Sequence, residues 1–275
     1  MNRALWRKAF RDAWLQLAIS SALLVLFGWL FVWLMSQFDP GFVAKMLEYL
    51  PKFVEPLLGI PLAKLATTVG RLSVLYVHLV TMLVCIGWAV GRGSDVVSGE
   101  ISRGTMDLVA TLPVRRYSVV VASAVVTASG AAVLALAIWA GACLGIATVK
   151  LPEKVSPPVF LPGVLNLFAM TFCLAGLTAL CSSWERSRWR TILLAGGFFT
   201  VSSVVKMVAR LWEPGAWLRY LSFLTAFEAQ KLILLEPEVT RPLAWSYNAT
   251  LLGLGLAGYI LAAIVFTRRD IPAAY

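Results

Sequence analysis

The sequence predicts an all-α integral membrane protein with six transmembrane helices. Of the 275 residues, 60% are hydrophobic and only 14% are charged, and the mean hydropathy is +0.81. Soluble domains average ~45–50% apolar and ~25% charged residues. The apolar residues also form runs that are longer than a soluble core requires. Together these observations exclude a soluble enzyme, a disordered chain and a disulfide-stabilised scaffold.

Six stretches are long enough to cross the hydrocarbon core of a bilayer, which takes about 20 residues of helix. They cover roughly residues 15–35, 67–90, 118–149, 164–182, 191–211 and 245–267. An even number of spans places both termini on the same side of the membrane. No internal repeat or linker interrupts the pattern, so a single transmembrane domain is expected over 1–275.

The basic residues predict the orientation of these spans. More than half of the 24 Lys and Arg residues fall in four short segments, namely the N-terminal arm, the 91–117 and 183–190 loops and the tail. The other connections are longer, and acidic residues balance their basic ones. Because cytoplasmic loops are enriched in Lys and Arg, both termini are expected on the cytoplasmic side of a cytoplasmic (inner) cell membrane.

Three connecting segments have the pattern of helices that lie along the membrane surface. Residues 1–14 place Trp6 and Phe10 on one helical face and Arg7 and Arg11 on the other. They are predicted to form an interfacial helix before the first span turns inward. Amphipathic patterns before the second and sixth spans predict two further interfacial helices on the outer side.

The 91–117 loop is predicted to contain two short helices joined at a bend. Ser94 or Asp95 can cap the first helix by accepting a hydrogen bond from a free backbone N–H. Gly104 can end that helix in the left-handed conformation, and Thr105 can cap the second. The helices are too polar to insert into the membrane, so they form a docking surface on its cytoplasmic side.

Enzymatic motifs are absent from the sequence. It contains no G-x-x-x-x-G-K-[ST] loop for nucleotide phosphates, no H-E-x-x-H and no G-x-S-x-G. A single histidine excludes a metal site built from several histidines. Every Asp and Glu falls in a loop or at the end of a span, which argues against a carrier driven by protons or sodium ions.

The second span carries the strongest candidates for a site within the membrane. Arg71 and His78 are seven residues apart on one predicted helical face, and ionisable residues in a membrane suggest a substrate pathway. His78, Met82 and Cys85 on the same face are weak candidates for a soft metal such as Cu(I). The simpler alternative is that Arg71 reaches the outer headgroups and the other side chains serve packing.

Four segments together resemble the ABC-2 type permease family. Residues 100–105 (EISRGT) and 113–116 (PVRR) are similar to that family's E-x-x-x-G-T … P-x-x-R pattern between the second and third spans. Residues 7–12 (RKAFRD) resemble its opening, and residues 266–271 (FTRRDI) resemble its ending after the sixth span. The resemblance extends over the whole chain in span number, loop plan and length.

The resemblance implies the membrane subunit of an ATP-binding-cassette exporter. Such a subunit pairs with a second permease and with a separate ATPase that carries ATP and Mg²⁺, and it has no enzymatic activity of its own. The residues implied in coupling to the ATPase are Glu100, Gly104, Thr105, Pro113 and Arg116.

Other interpretations of the chain remain open. Glu100 could simply form a surface ion pair with Arg103, three residues further along the helix. A secondary transporter that works without ATP, or a membrane scaffold that recruits a soluble partner through the 91–117 loop, is the alternative function.

Overall fold

A computed structural model of the chain describes residues 3–39, 41, 45–47, 49, 51, 53–106 and 115–269. Every regular element among these residues is helical. Six helices are long and apolar enough to cross a membrane, which confirms the predicted fold class. These spans are Leu5–Ser36, Thr68–Ser102, Arg116–Thr148, Pro157–Trp184, Arg188–Leu211 and Glu238–Arg268. The bundle has a terminal end, where Arg3 and Arg269 lie, and a distal end, where Ser36 and Leu211 lie.

The first span belongs to one unbroken helix, Arg3–Ser36. The expected break between an interfacial helix over 1–14 and the span is therefore wrong for the described part of that segment. The reason is local, because the helix contains no proline and its first glycine is Gly28, so nothing interrupts its hydrogen bonds. Contacts with the second span, described below, also hold its first turns.

The second span is divided near its distal end. Helix Thr68–Ser73 continues as the 3-10 turn Val74–Tyr76, and a new helix begins at Leu79 and ends at Ser94. The His78 ring nitrogen Nδ1 accepts a hydrogen bond from the Val80 N–H (3.2 Å) and so caps this new helix. Arg71 and His78 therefore do not share one continuous helical face, as the sequence pattern suggested.

The fourth span, whose main helix is Leu161–Trp184, lies at the centre of the bundle. Its Leu167, Met170 and Leu174 side chains are completely buried. The second, third and sixth spans pack around it. The fifth span, Arg188–Leu211, is mostly exposed on the bundle's surface.

Close approach between helices depends on small residues, as lipid provides no hydrophobic drive for helix association. The first span packs closely along the third, helix Arg116–Thr148. A Cβ atom on Gly141 would lie 2.4 Å from the Val25 carbonyl oxygen. The fourth and sixth spans meet in the same way, since a Cβ on Gly176 would lie 2.2 Å from the Gly255 oxygen. The last helix is Pro237–Arg268.

Short helices occupy the connections at the distal end, where two amphipathic segments were expected. Val54–Leu58 and Leu62–Ala66 precede the second span. The 3-10 segments Glu213–Tyr220 and Phe223–Ala226 and the helix Ala229–Leu234 precede the sixth. Their position relative to a membrane surface stays a prediction.

Candidate functional site

The second span continues well into the predicted 91–117 loop. After Ser94 the chain forms one π-helical segment, Asp95–Gly99, and a last turn, Glu100–Ser102. The prediction of a separate first helix capped by Ser94 or Asp95 is therefore wrong, as neither side chain makes a capping hydrogen bond there. What the sequence suggested as a loop helix is an extension of the span itself.

A serine of the fourth span explains the π-helical segment. Ser182 Oγ accepts hydrogen bonds from the Val97 and Ser98 N–H groups (3.1 and 2.9 Å) and donates one to the Ser94 carbonyl oxygen (3.0 Å). A side chain inserted into the backbone ladder in this way satisfies groups that a wider turn leaves without helical partners. Ser182 and Ser98 are completely buried, so the insertion fixes the second span against the fourth.

Gly104 ends the extended helix as the sequence predicted. Its φ is +68°, a left-handed conformation that glycine adopts without steric cost. The Gly104 N–H donates to the Ile101 oxygen (3.0 Å) and the Thr105 N–H donates to the Glu100 oxygen (3.1 Å). This hydrogen-bond pair is the Schellman arrangement of a helix C-terminus. The rest of the predicted second helix, including Pro113, lies outside the described residues.

Glu100 is a buried centre of charge rather than half of a surface ion pair. Its side chain is 8% exposed. One carboxylate oxygen contacts Lys8 Nζ (2.5 Å) and Arg103 Nη2 (3.0 Å), and the other accepts a hydrogen bond from Thr105 Oγ1 (2.7 Å). The expected Glu100–Arg103 pair exists, but the same carboxylate also connects the second span to the first helix.

Asp95 forms a second centre one turn away. Its carboxylate contacts Arg103 (2.8 Å), Arg188 (3.3 Å) and Arg92 (3.7 Å). Arg103 thus bridges Asp95 and Glu100. Partial burial lowers the pKa of Arg103, but the hydrogen bonds and charges of the two carboxylates outweigh burial and raise that pKa above its ordinary value. Arg103 therefore stays charged and keeps both carboxylates paired.

The N-terminal helix is docked on this network. The Arg92 guanidinium is buried and donates to the Ala9 and Asp12 carbonyl oxygens, at 3.3 Å each. Lys8 contacts both Glu100 and Asp12. The first turns of the chain are thus fixed to the end of the second span by charge-assisted contacts, which are among the stronger hydrogen bonds in proteins.

The remaining segments at the terminal end join the same region, which we call the terminal junction. Its charged residues are Lys8, Asp12, Arg92, Asp95, Glu100, Arg103 and Arg188. The Arg188 N–H, where the fifth span begins, donates to Ser102 Oγ (3.0 Å). Arg116, where the third span begins, donates to the Arg269 carbonyl oxygen (2.8 Å), and Arg269 donates to the Ser183 oxygen (2.8 Å).

Sequence reasoning found only part of the terminal junction. Glu100, Gly104, Thr105 and Arg116 were singled out by the resemblance, and the pair of Glu100 with Arg103 was expected, whereas the contacts of Lys8 with Glu100 and of Arg188 with Asp95 were not. Lys8 and Arg188 are separated from Glu100 and Asp95 by about 90 residues, so no local pattern connects them. An excess of Arg in each short connection was the one available signal, and it was interpreted as a marker of orientation.

Arg71 and His78, the candidate pathway residues of the second span, contact the first span. Arg71 is 5% exposed and donates to the carbonyl oxygens of Phe38 (2.9 Å), just beyond the first helix, and of Met35 (3.5 Å), in its last turn. The His78 ring contacts the rings of Phe27 and Phe31, with centroids 4.9 and 5.5 Å apart. The structure thus assigns both residues to contacts between the first two spans.

The surroundings of His78, Met82 and Cys85 do not support a metal centre. Cys85 is 1% exposed, and Met82 is partly buried one turn nearer to His78. Within the described ranges no group of three or more His, Cys, Asp and Glu side chains is arranged to hold a metal ion. A role in a substrate pathway stays a hypothesis for Arg71 and His78, and metal binding stays a hypothesis for His78, Met82 and Cys85.

Comparison with known proteins agrees with this architecture. The family model described as "ABC-2 family transporter protein" matches residues 6–271, from the first helix to the end of the sixth span. No curated protein matches the chain significantly. The matched region contains the first span from its second residue onward, the other five spans and the terminal junction. This chain, a multi-pass membrane protein with the six spans of a permease, belongs to the ABC-2 family of transporter proteins.

Proposed function

We propose that the chain is the permease subunit of an ATP-binding-cassette exporter in the cytoplasmic membrane, with both termini in the cytoplasm. It would move substrate outward with energy from ATP that a separate ATPase subunit binds together with Mg²⁺. The family match supports a permease of an ABC-type transporter. The observation that carries the rest of the proposal is the terminal junction, which connects the segment after Gly104 to three spans.

The terminal junction has the properties that transmission of a movement requires. The second span continues rigidly to Ser102, because the Ser182 insertion and the Arg103 bridge stabilise its last turns. Lys8 and Arg92 connect these turns to the first span, and Arg188 connects them to the fifth. A force applied beyond Gly104 would therefore move these helices together, since packed and paired elements shift as units.

Glu100 has a positioning role in this proposal. Its carboxylate points to Lys8, Arg103 and Thr105 within the chain, so it would hold the docking segment in place instead of contacting the ATPase directly. Gly104 and Thr105 would set the direction in which the chain leaves the helix, and Arg116 would hold the start of the third span. Pro113 keeps its proposed coupling role from the family pattern alone.

The exporter would contain a second permease, either a copy of this chain or a relative. The exposed apolar side chains of the fifth span offer one surface for this contact, since in a membrane they lie against lipid unless a second helix packs on them. These exposed residues include Leu193, Leu194, Phe198, Val201 and Val204.

The test is purification of the tagged full-length chain from its native membrane in a mild detergent, with identification of every protein that co-purifies. The expected result is a P-loop ATPase at about one copy per permease, with ATP hydrolysis that depends on the complex. A folded permease that reproducibly lacks an ATPase would contradict the proposal and favour a secondary transporter. An ATPase whose hydrolysis never responds to the permease would favour a scaffold.

A further inference from the structure

A second charged cluster lies at the distal end of the bundle, on the opposite side from the terminal junction. Lys206 and Arg210 are on the fifth span, and Glu228 is on the segment that precedes the sixth. The Glu228 carboxylate contacts both Lys206 Nζ (3.1 Å) and the Arg210 guanidinium. The three side chains are only 17%, 23% and 11% exposed, respectively. Two cations thus share one carboxylate.

Backbone carbonyl groups satisfy other donors of the two cations without neutralising their charge. Lys206 Nζ donates to the Phe227 oxygen, and Arg210 Nη1 donates to the Leu57 oxygen, at 2.6 Å each. Among the described residues, the cluster therefore keeps a formal charge of +1 in a largely buried position. An unbalanced buried charge is costly unless a counter-charge approaches it, and an anionic group would supply one.

A cavity of about 240 Å³ lies directly beside these cations. Among the described residues that line it, Lys206 and Arg210 are charged, Ser203 is polar, and the rest are apolar. Glu228 is not among the described residues that line the cavity, so the charged side chains of its described lining are both cations. The apolar part of the wall includes Met82, Phe199, Leu224 and Phe227.

The cavity is polar at one end and apolar at the other. Phe199, Ser203, Lys206 and Arg210 are spaced by three or four residues, which places them on one face of the fifth span. The eleven residue steps from Phe199 to Arg210 span ~16 Å of helix. Arg210 is one residue from the end of the helix at Leu211, whereas Phe199 lies deeper, beside Met82 of the second span.

We propose that this cavity binds a single-chain amphiphile with one anionic headgroup. The headgroup pairs with Lys206 and Arg210 near the distal surface, and the chain extends along the apolar wall towards Phe199. Glu228 and Leu57 accept hydrogen bonds from two of the five N–H donors of Arg210, and its remaining donors suit the oxygens of a carboxylate or a phosphate. The volume is below the ~300–1,000 Å³ of pockets for drug-sized ligands, which favours one alkyl chain over the two of a phospholipid.

Binding can be measured by photolabelling of the purified full-length permease in a nonionic detergent. The probe is laurate with a diazirine in its chain, and mass spectrometry maps the labelled peptides. Labelling is expected on the peptides that contain Met82 and Phe199. Laurate should compete for it at least about tenfold better than dodecanol or dodecyltrimethylammonium, because one charge-assisted hydrogen bond is worth about that factor.

Substitutions test the two cations and the free volume of the cavity separately. Arg210→Gln and Lys206→Gln should each reduce labelling about tenfold. Ser203→Leu should reduce it by filling the cavity while both charges remain. Arg219→Gln is the matched control, because Arg219 is a distal cation that stacks on Tyr220 outside the cavity. Thermal unfolding identifies any variant that fails to fold.

Three results would overturn the proposal. Equal competition by laurate and dodecanol would remove the anionic requirement, and unchanged labelling in both Arg210→Gln and Ser203→Leu would remove the site. Stronger competition by dioleoyl phosphatidylglycerol than by laurate would replace the single-chain ligand with a lipid headgroup. The assay needs no ATPase, so its outcome is independent of the proposed transport function.

Discussion

Glu100→Gln tests the central contact of the terminal junction. The substitution keeps the size of the side chain and one acceptor oxygen but removes the negative charge that Lys8 and Arg103 share. Because Arg103 remains paired with Asp95, the variant should insert into the membrane and fold. The expected change is therefore local, and it consists of easier separation of the N-terminal helix from the end of the second span.

The size of the effect follows from burial. A hydrogen bond to a charged group contributes ~1.5–3 kcal/mol. The Glu100 carboxylate is 8% exposed, but the Lys8 and Arg103 side chains are 45% and 43% exposed, so water replaces part of what they lose. We expect a loss of about 2 kcal/mol, which corresponds to a ~30-fold larger opening constant for the contact.

Amide hydrogen exchange measures this opening directly. Exchange of the peptides that cover residues 5–14 and 95–105 should be up to ~30-fold faster in Glu100→Gln than in the wild-type chain. Glu185→Gln is the matched control, because Glu185 makes no ion pair within the described part of the chain. Unchanged exchange in Glu100→Gln would refute the energetic role of Glu100. Faster exchange with full retention of the ATPase would refute the junction's role in coupling.

Three further substitutions test single structural features, each with thermal unfolding as the readout. Gly104→Val should cost about 2 kcal/mol, because a side chain is strained at φ +68°, and should also weaken retention of the ATPase. Ser182→Ala should cost ~1–3 kcal/mol by leaving the buried Val97 and Ser98 N–H groups without a partner. Gly141→Leu should cost ~1–3 kcal/mol by forcing the third span away from the first, where a Cβ would meet the Val25 oxygen at 2.4 Å.

Each of these substitutions has a matched control. Gly104→Asn should behave almost like the wild-type chain, since asparagine tolerates the left-handed conformation. Ser183→Ala removes a hydroxyl that bonds only within its own helix, to the Leu180 oxygen. Gly87→Leu adds a side chain where a Cβ meets nothing within 4 Å. A control as unstable as its test variant would contradict the mechanism assigned to that pair.

Features that depend on neighbouring residues could be predicted from the sequence. The six spans follow from runs of apolar residues, but several helices continue beyond the predicted ends, because a helix can extend past the apolar run that marks it. The first, second, fourth and sixth spans reach residues 5, 102, 157 and 238, where the hydropathy pattern predicted ends at 15, 90, 164 and 245. Gly104 was predicted correctly as a helix end because its conformational freedom is intrinsic to glycine.

Features that depend on residues far apart in the chain could not be predicted. In the sequence, Glu100 and Arg103 have the spacing of an exposed ion pair. In the structure, Lys8, which lies 92 residues earlier in the chain, also contacts the Glu100 carboxylate and covers it. The π-helical segment needs the hydroxyl of Ser182 from another span, and the break at His78 interrupts a helix that the hydropathy pattern suggested was continuous.

The sequence by itself determined the number of spans, the family pattern and the turn at Gly104, because the length of an apolar run, a motif and a backbone preference are local properties. Tertiary structure alone decided which charges meet, namely Glu100 with Lys8 at one end of the bundle and Glu228 with Lys206 and Arg210 at the other. The physical reason is that a buried charge is stabilised by whichever partner the packing of helices brings within a few ångströms, and sequence distance does not measure that separation.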